Sequence, residues 1–212
     1  MPRIDDFIQA RDISRKELNQ KDPGLIAEYS GAEFSGDPDK DGSFSLDFLN
    51  KEIMTTWPEF DFSYKDSDNE IPIQQQVLIL HYLQGSLKTR GPGVTGEWIS
   101  FQDLPDGRFY LGAFIKRAKD PLLKAFGTNP KQIIDIASKA YGASPLDHGD
   151  FSVSVKALPL VPVALVLWEG DDEFPPEGNI LFDKNIAELL PAEDIAWIAG
   201  MVVYPLMGMN KA

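Results

Sequence analysis

Apolar positions recur along this chain with three different periods, and each period predicts an element. Ile73, Val77, Leu80 and His81 fall at i, i+4, i+7 and i+8. That spacing puts them on one stripe of a helix over Pro72–Gln84, with Gly85 to close it. Phe151–Leu158 alternates Phe151, Val153, Val155 and Ala157 with Ser152, Ser154 and Lys156, the period of a half-buried strand. Pro162–Trp168 is apolar without interruption, as suits a central strand, and Pro159-Leu160-Val161 joins the two. Asn179–Phe182 reads as a third short strand.

Turn and cap residues set the remaining boundaries. The first thirty residues predict two short helices, the second opened by Asp22-Pro23-Gly24 and stopped by Gly31. Phe34, Phe44, Leu46, Phe48 and Ile53 lie in β-prone stretches around a turn at Gly36–Gly42, which predicts a hairpin within Ala32–Trp57. Glu59–Glu70 reads as an acidic surface loop and Ser86–Gly96 as a glycine-rich one. A turn at Pro105-Asp106-Gly107 divides the aromatic stretch Glu97–Tyr110. Helices follow over Leu111–Lys119, from Asp120-Pro121 to Gly127, and from Asn129-Pro130 to Gly142. Asp183–Leu206 is mostly helical with a break at Pro191. No repeat or linker divides the chain. The expectation is one α+β domain over residues 1–212, residues 1–26 being a helical extension. Its antiparallel sheet would combine the N-terminal hairpin and the C-terminal strands, packed with several helices.

Composition narrows the function. The 212 residues carry 33 acids against 20 Lys plus Arg, a net charge of −13. Nucleic acid is not expected as a partner, because phosphate backbones need a basic patch. The densest basic run, Lys116-Arg117-Ala118-Lys119, fits the exposed last turn of a helix. No apolar run approaches the ~20 residues of a membrane helix. The N-terminus lacks the apolar core of a signal peptide, so a cytoplasmic protein is expected. Cysteine is absent, which removes disulfides, thiolate nucleophiles and cysteine-ligated zinc or iron–sulfur centres.

Three clusters and two histidines carry candidate chemistry. Glu169, Asp171, Asp172 and Glu173 follow the apolar strand and Trp168, with Gly170 free to turn sharply. They could bind a cation, a basic surface or a polar ligand. Alternatively they form a solvated turn that Phe174 and Pro175 anchor to the core. His81 could ligate a metal or act as a base, or be a core histidine satisfied by one hydrogen bond. His148 sits in a polar loop before a strand. Trp98, Phe101, Arg108 and Tyr110 could line a pocket for a flat or anionic ligand, or belong to the core beside a turn. Asp37, Asp39, Asp41 and Gly42 open like a calcium loop, but Phe48 stands where the bidentate Glu would be, and the flanks read as strands. A hairpin tip is the alternative. No G-x-S-x-G, H-E-x-x-H or P-loop pattern occurs, and the run Gly91-Pro92-Gly93 reads as a loop and not a dinucleotide turn.

Four stretches together resemble domain-of-unknown-function family 3786. They are Val77–Leu83, Thr95–Phe101 with Leu104–Gly107, Pro162–Pro175, and Ile180–Asp183 with Leu189-Leu190-Pro191 and Glu193-Asp194. The string from Trp168 to Pro175 is the most specific, and the resemblance runs from about Ala27 to the C-terminus. It implies an accessory protein of anaerobic bacteria or archaea and brings no assigned activity. Some relatives look fused to a cysteine-rich iron–sulfur segment, a pattern this cysteine-free chain does not share.

Three functions follow as expectations. The first is a non-catalytic accessory or ligand-binding protein, its site built from Trp168–Pro175, His81 and the Trp98–Tyr110 region. Its ligand could be a bulky tetrapyrrole such as a corrinoid, with His81 as an axial contact. The second is an enzyme with His81 or Glu169 as general base and a divalent cation on Asp171, Asp172 or Glu173. The third is a protein-binding module whose acidic face meets a basic partner.

Overall fold

The structure, a computed structural model, describes residues 3–210. The elements in chain order are α1 (Ile4–Leu18), α2 (Pro23–Ser30), β1 (Glu33–Gly36), β2 (Gly42–Phe48), β3 (Lys51–Trp57), β4 (Phe62–Tyr64), α3 (Ile73–Thr89), β5 (Trp98–Ser100), α4 (Gly107–Phe114), α5 (Asp120–Phe126), α6 (Gln132–Tyr141), β6 (Ser144–Pro145), β7 (Phe151–Leu158), β8 (Val161–Trp168), β9 (Glu177–Asp183), α7 (Ile186–Leu189) and α8 (Ala192–Met209). The α+β class is as expected. The strands, however, form two antiparallel sheets rather than one, ordered β1-β2-β3-β4 and β5-β9-β8-β7-β6. The chain gathers into two compact units. One comprises the described residues up to Gly93 with Leu158–Leu160 and Glu188–Leu190; the other comprises Val94–Ala157, Val161–Ala187 and the described residues from Pro191 on.

In the first unit the N-terminal capping reads as predicted. The Asp22 carboxylate accepts from the backbone N–H groups of Gly24 and Leu25, Pro23 fills the first helical position, and Gly31 closes α2 in the left-handed region. The predicted hairpin is part of a four-stranded meander. Leu49 and Asn50, both at positive φ, turn β2 into β3, which the sequence reading missed. The Glu59–Glu70 stretch is not simply a surface loop: Phe60 is fully buried and Phe62–Tyr64 pairs as a fourth strand. Phe60 reaches the core because its φ of 55° folds the chain back, and its N–H bonds to the Thr56 carbonyl. There it stacks on Phe44 and meets Trp57 edge-on. Helix α3 does not stop at Gly85 but continues to Thr89, with Arg90 as its left-handed cap. It packs against α1 and α2, and Val77–Leu80, Tyr82, Leu83 and Ser86 are all buried, so its apolar surface is broader than the predicted stripe.

The same core contains a misfit that makes a prediction. Thr55 is buried in the first sheet, and among the described residues its hydroxyl has no hydrogen-bond partner. Valine has nearly the same shape without the polar atom. Thr55→Val is therefore expected to stabilise the fold by about 1 kcal/mol, because a buried unsatisfied hydroxyl costs ~1–3 kcal/mol. A higher urea midpoint checks this; a lower midpoint would mean that the hydroxyl is bonded.

In the second unit β7 and β8 fall where alternation and the continuous apolar run predicted them. The predicted interruption at Asp120-Pro121 does not occur. Helix α4 passes through a π-helical segment, Ile115–Lys119, directly into α5. The wider turn just upstream accommodates the Pro121 ring, which would otherwise press on the carbonyl four residues earlier. The core centres on β8 and β9 beneath the Phe101–Phe114 ring stack, whose centroids lie 4.3 Å apart, with Phe182 edge-on to both. No described helix is long and apolar enough to cross a membrane.

Candidate functional site

The acidic loop lies at one end of the second sheet, and hydrogen bonds join it to the loop before β7. Strand β8 ends at Trp168, which pairs with Glu177 at the start of β9. The Asp150 N–H donates to the Leu167 carbonyl, and the Glu169 N–H donates to the Asp150 carboxylate at 2.8 Å. Gly149 allows this close approach: at its φ of 59°, an added Cβ would stand 2.8 Å from Val166 and 3.1 Å from the Trp168 ring. His148 is exposed beside it, its backbone N–H held by Ser152 Oγ.

The 169–176 loop is closed on itself. Asp171 Oδ1 accepts from the N–H groups of Glu173 and Phe174 at 2.8 and 2.7 Å, and the Asp171 N–H returns a bond to the Phe174 carbonyl. Those two donors stabilise the ionised form, so the Asp171 carboxyl lies below the usual aspartate range. The turn is thus built around a charged Asp171, whose other oxygen is not used by the loop. Phe174 does not anchor the loop to the core, as one reading expected: it is 67% exposed, and Trp168 is 37% exposed. The two joined loops and the adjoining start of β9 carry Asp147, Asp150, Glu169, Asp171, Asp172, Glu173 and Glu177, all exposed.

The other candidates belong to other elements. Trp98 pairs with Asp183 while Trp168 pairs with Glu177, six residues away along β9. At the strand rise that is about 20 Å, so the two tryptophans mark opposite ends of the sheet. Phe101 is a core residue, Trp98 is half-buried and Arg108 is exposed. The Tyr110 hydroxyl points to Glu193 at 3.5 Å, and that carboxylate raises the phenol's pKa. His81 belongs to the first unit and is half-buried on α3. Asp37 and Asp41 hold the β1–β2 turn: the Asp37 N–H bonds to the Asp41 carbonyl, and the Asp37 carboxylate takes the Asp39 N–H and Lys40. Among the described residues no three His, Asp or Glu side chains gather in a group fit to hold a metal ion, Asp37, Asp39 and Asp41 included.

Sequence reasoning missed one group entirely. Asp183 ends β9 with no exposure, and its carboxylate accepts from the Thr95 and Gly96 N–H groups, the Thr95 hydroxyl and the Asn185 N–H. Its signal was an acid directly after an apolar strand, where burial demands several donors.

The domain of unknown function DUF3786 matches residues 22–204. The chain belongs to this family. Neither a curated protein nor a solved structure matches it. The DUF3786 match takes in the 169–176 loop, Asp183 and the whole of the second sheet, and begins at the Asp22 cap of α2.

Proposed function

We propose that the protein is a non-catalytic accessory protein that works by binding a basic protein partner through the acidic, aromatic end of its second sheet. The setting, the metabolism of an anaerobe, is the one the family resemblance implies. The observation behind this reading is the exposure of Trp168 and Phe174 among seven exposed carboxylates. Exposed aromatics supply apolar contact area at low entropic cost, and surrounding carboxylates steer and orient a Lys- or Arg-rich surface. The reading as an enzyme with His81 or Glu169 as general base and a divalent cation on Asp171, Asp172 or Glu173 finds less support, since among the described residues no three such side chains gather in a group fit to hold a metal ion.

The test uses an amphipathic Arg- and Leu-rich peptide and Trp fluorescence with amide NMR. Binding is expected to shift the 168–177 resonances, to weaken at least tenfold between ~0.05 and ~0.5 M salt, and to weaken at least about tenfold in a Trp168→Ala, Phe174→Ala variant. Binding that survives both the salt and the double substitution would refute the reading.

A further inference from the structure

Strand β5 is shorter than its neighbour, and a notch results. It pairs with β9 only through Trp98↔Asp183, Ile99↔Phe182 and Ser100↔Leu181, after which the chain turns off into the short helical turn Phe101–Asp103. The first part of β9 therefore has no strand beside it on that edge. The Asn179 side chain compensates locally: its Oδ1 accepts from the N–H of Ile180 at 3.0 Å. An exposed strand edge usually needs such a device. That bond leaves the Asn179 amide nitrogen as a spare donor.

A cavity of about 170 Å³ fills the notch, lined among others by Ser100, Phe101, Phe114, Ile115, Lys119 and Asn179. Its volume equals about six waters. The walls are mixed: the Phe101–Phe114 stack and Ile115 are apolar, while Lys119 and Asn179 are polar. The π-helical segment sorts the basic residues of the Lys116–Lys119 run. Arg117 lies over the Trp197 ring at 4.5 Å, toward α8, whereas Lys119 borders the cavity. Lys119 is half-buried, and among the described residues its ammonium has no hydrogen bond or ion pair. In a chain of net charge −13 with many carboxylates to spare, an unpaired, half-buried lysine beside an apolar wall stands out. An ammonium beside an apolar wall gains most from an anion that brings its own apolar body.

We propose that this notch binds a small organic carboxylate, with the carboxylate on Lys119 and the Asn179 amide and the apolar body against Phe114 and Ile115. Ser100 is not a primary contact, since its hydroxyl is committed to Asp103 at 2.6 Å. Along β9 the notch adjoins the acidic face without sharing its residues: Ser100 pairs with Leu181, Asn179 lies two residues further on, and Trp168 pairs with Glu177.

Benzoate is the probe, titrated into the full chain labelled with ¹⁵N, with benzamide as its neutral counterpart. The expected result is saturable amide shifts at Ser100, Phe101, Lys119 and Ile180, with benzamide at least about tenfold weaker, the loss of one charge-assisted contact. Lys119→Met should weaken benzoate equally and leave benzamide unchanged, and Lys119→Arg should recover part of the affinity. The amide spectrum itself reports whether each variant is folded. Equal affinity for benzoate and benzamide, shifts centred away from the notch, or no saturation below about 10 mM would each overturn the proposal.

Discussion

Replacing Asp183 by alanine is expected to remove about 3–5 kcal/mol of stability, the range for stripping one partner from a buried charged network. The carboxylate has no exposure and serves four donors: the Thr95 N–H and hydroxyl, the Gly96 N–H and the Asn185 N–H. Among the described residues no cation pairs with it, so three backbone N–H groups and one hydroxyl compensate its burial, each 2.6–3.1 Å from a carboxylate oxygen. Alanine leaves all four donors facing a small void. Asparagine keeps one acceptor oxygen but turns an NH₂ group toward an N–H, so Asp183→Asn should lose about 2 kcal/mol. Urea unfolding gives both values, and amide exchange at Thr95 and Gly96 shows where the loss falls. A change within the ~0.5 kcal/mol of an ordinary surface substitution would mean that water satisfies these donors and the carboxylate is dispensable.

Asp183 also shows where sequence reading ends. Local chemistry was legible wherever one residue fixes its own neighbourhood. Asp22-Pro23 and Gly31 bounded α2, and Ser/Val alternation with an unbroken apolar run placed β7 and β8, because caps and side-chain periods act within a few residues. What failed depended on distant partners. Phe60 sits in a polar, acidic stretch and is buried only because Phe44 and Trp57 come together across the meander. Pro121 looks like a helix start until the π-helical segment before it removes the clash. The candidate site divides along the same line. The acidic loop after Trp168 was visible as charge beside an apolar strand. That Asp171 closes it, and that Phe174 points outward, follows from loop geometry that composition does not encode. The Lys119 notch arises from a strand that stops early, and strand length is among the weakest signals in a sequence.

Gly85 turns this contrast into an experiment in which propensity and packing predict opposite signs. By propensity, Gly85→Ala should stabilise α3 by ~1 kcal/mol, since the residue lies inside the helix and not at its end. Packing reverses the expectation. A Cβ on Gly85 would lie 1.9 Å from the Leu189 carbonyl oxygen and 2.7 Å from its carbon, both backbone atoms that cannot swing aside. Helix and backbone must separate, and the net result is expected to be a loss of about 2 kcal/mol or more. Gly112 supplies the control. It too lies within a helix, α4, but an added Cβ meets nothing within 4 Å. Gly112→Ala should therefore gain the ~1 kcal/mol that propensity assigns. Opposite shifts in the two urea midpoints would show that Gly85 is retained for the close approach of α3 to the Leu189 backbone. Two gains would mean that this contact yields freely, and two losses would mean that propensity does not govern α4. The sequence suggested Gly85 as a helix stop because glycine commonly ends helices; in this fold its missing side chain admits the backbone at the end of α7 instead.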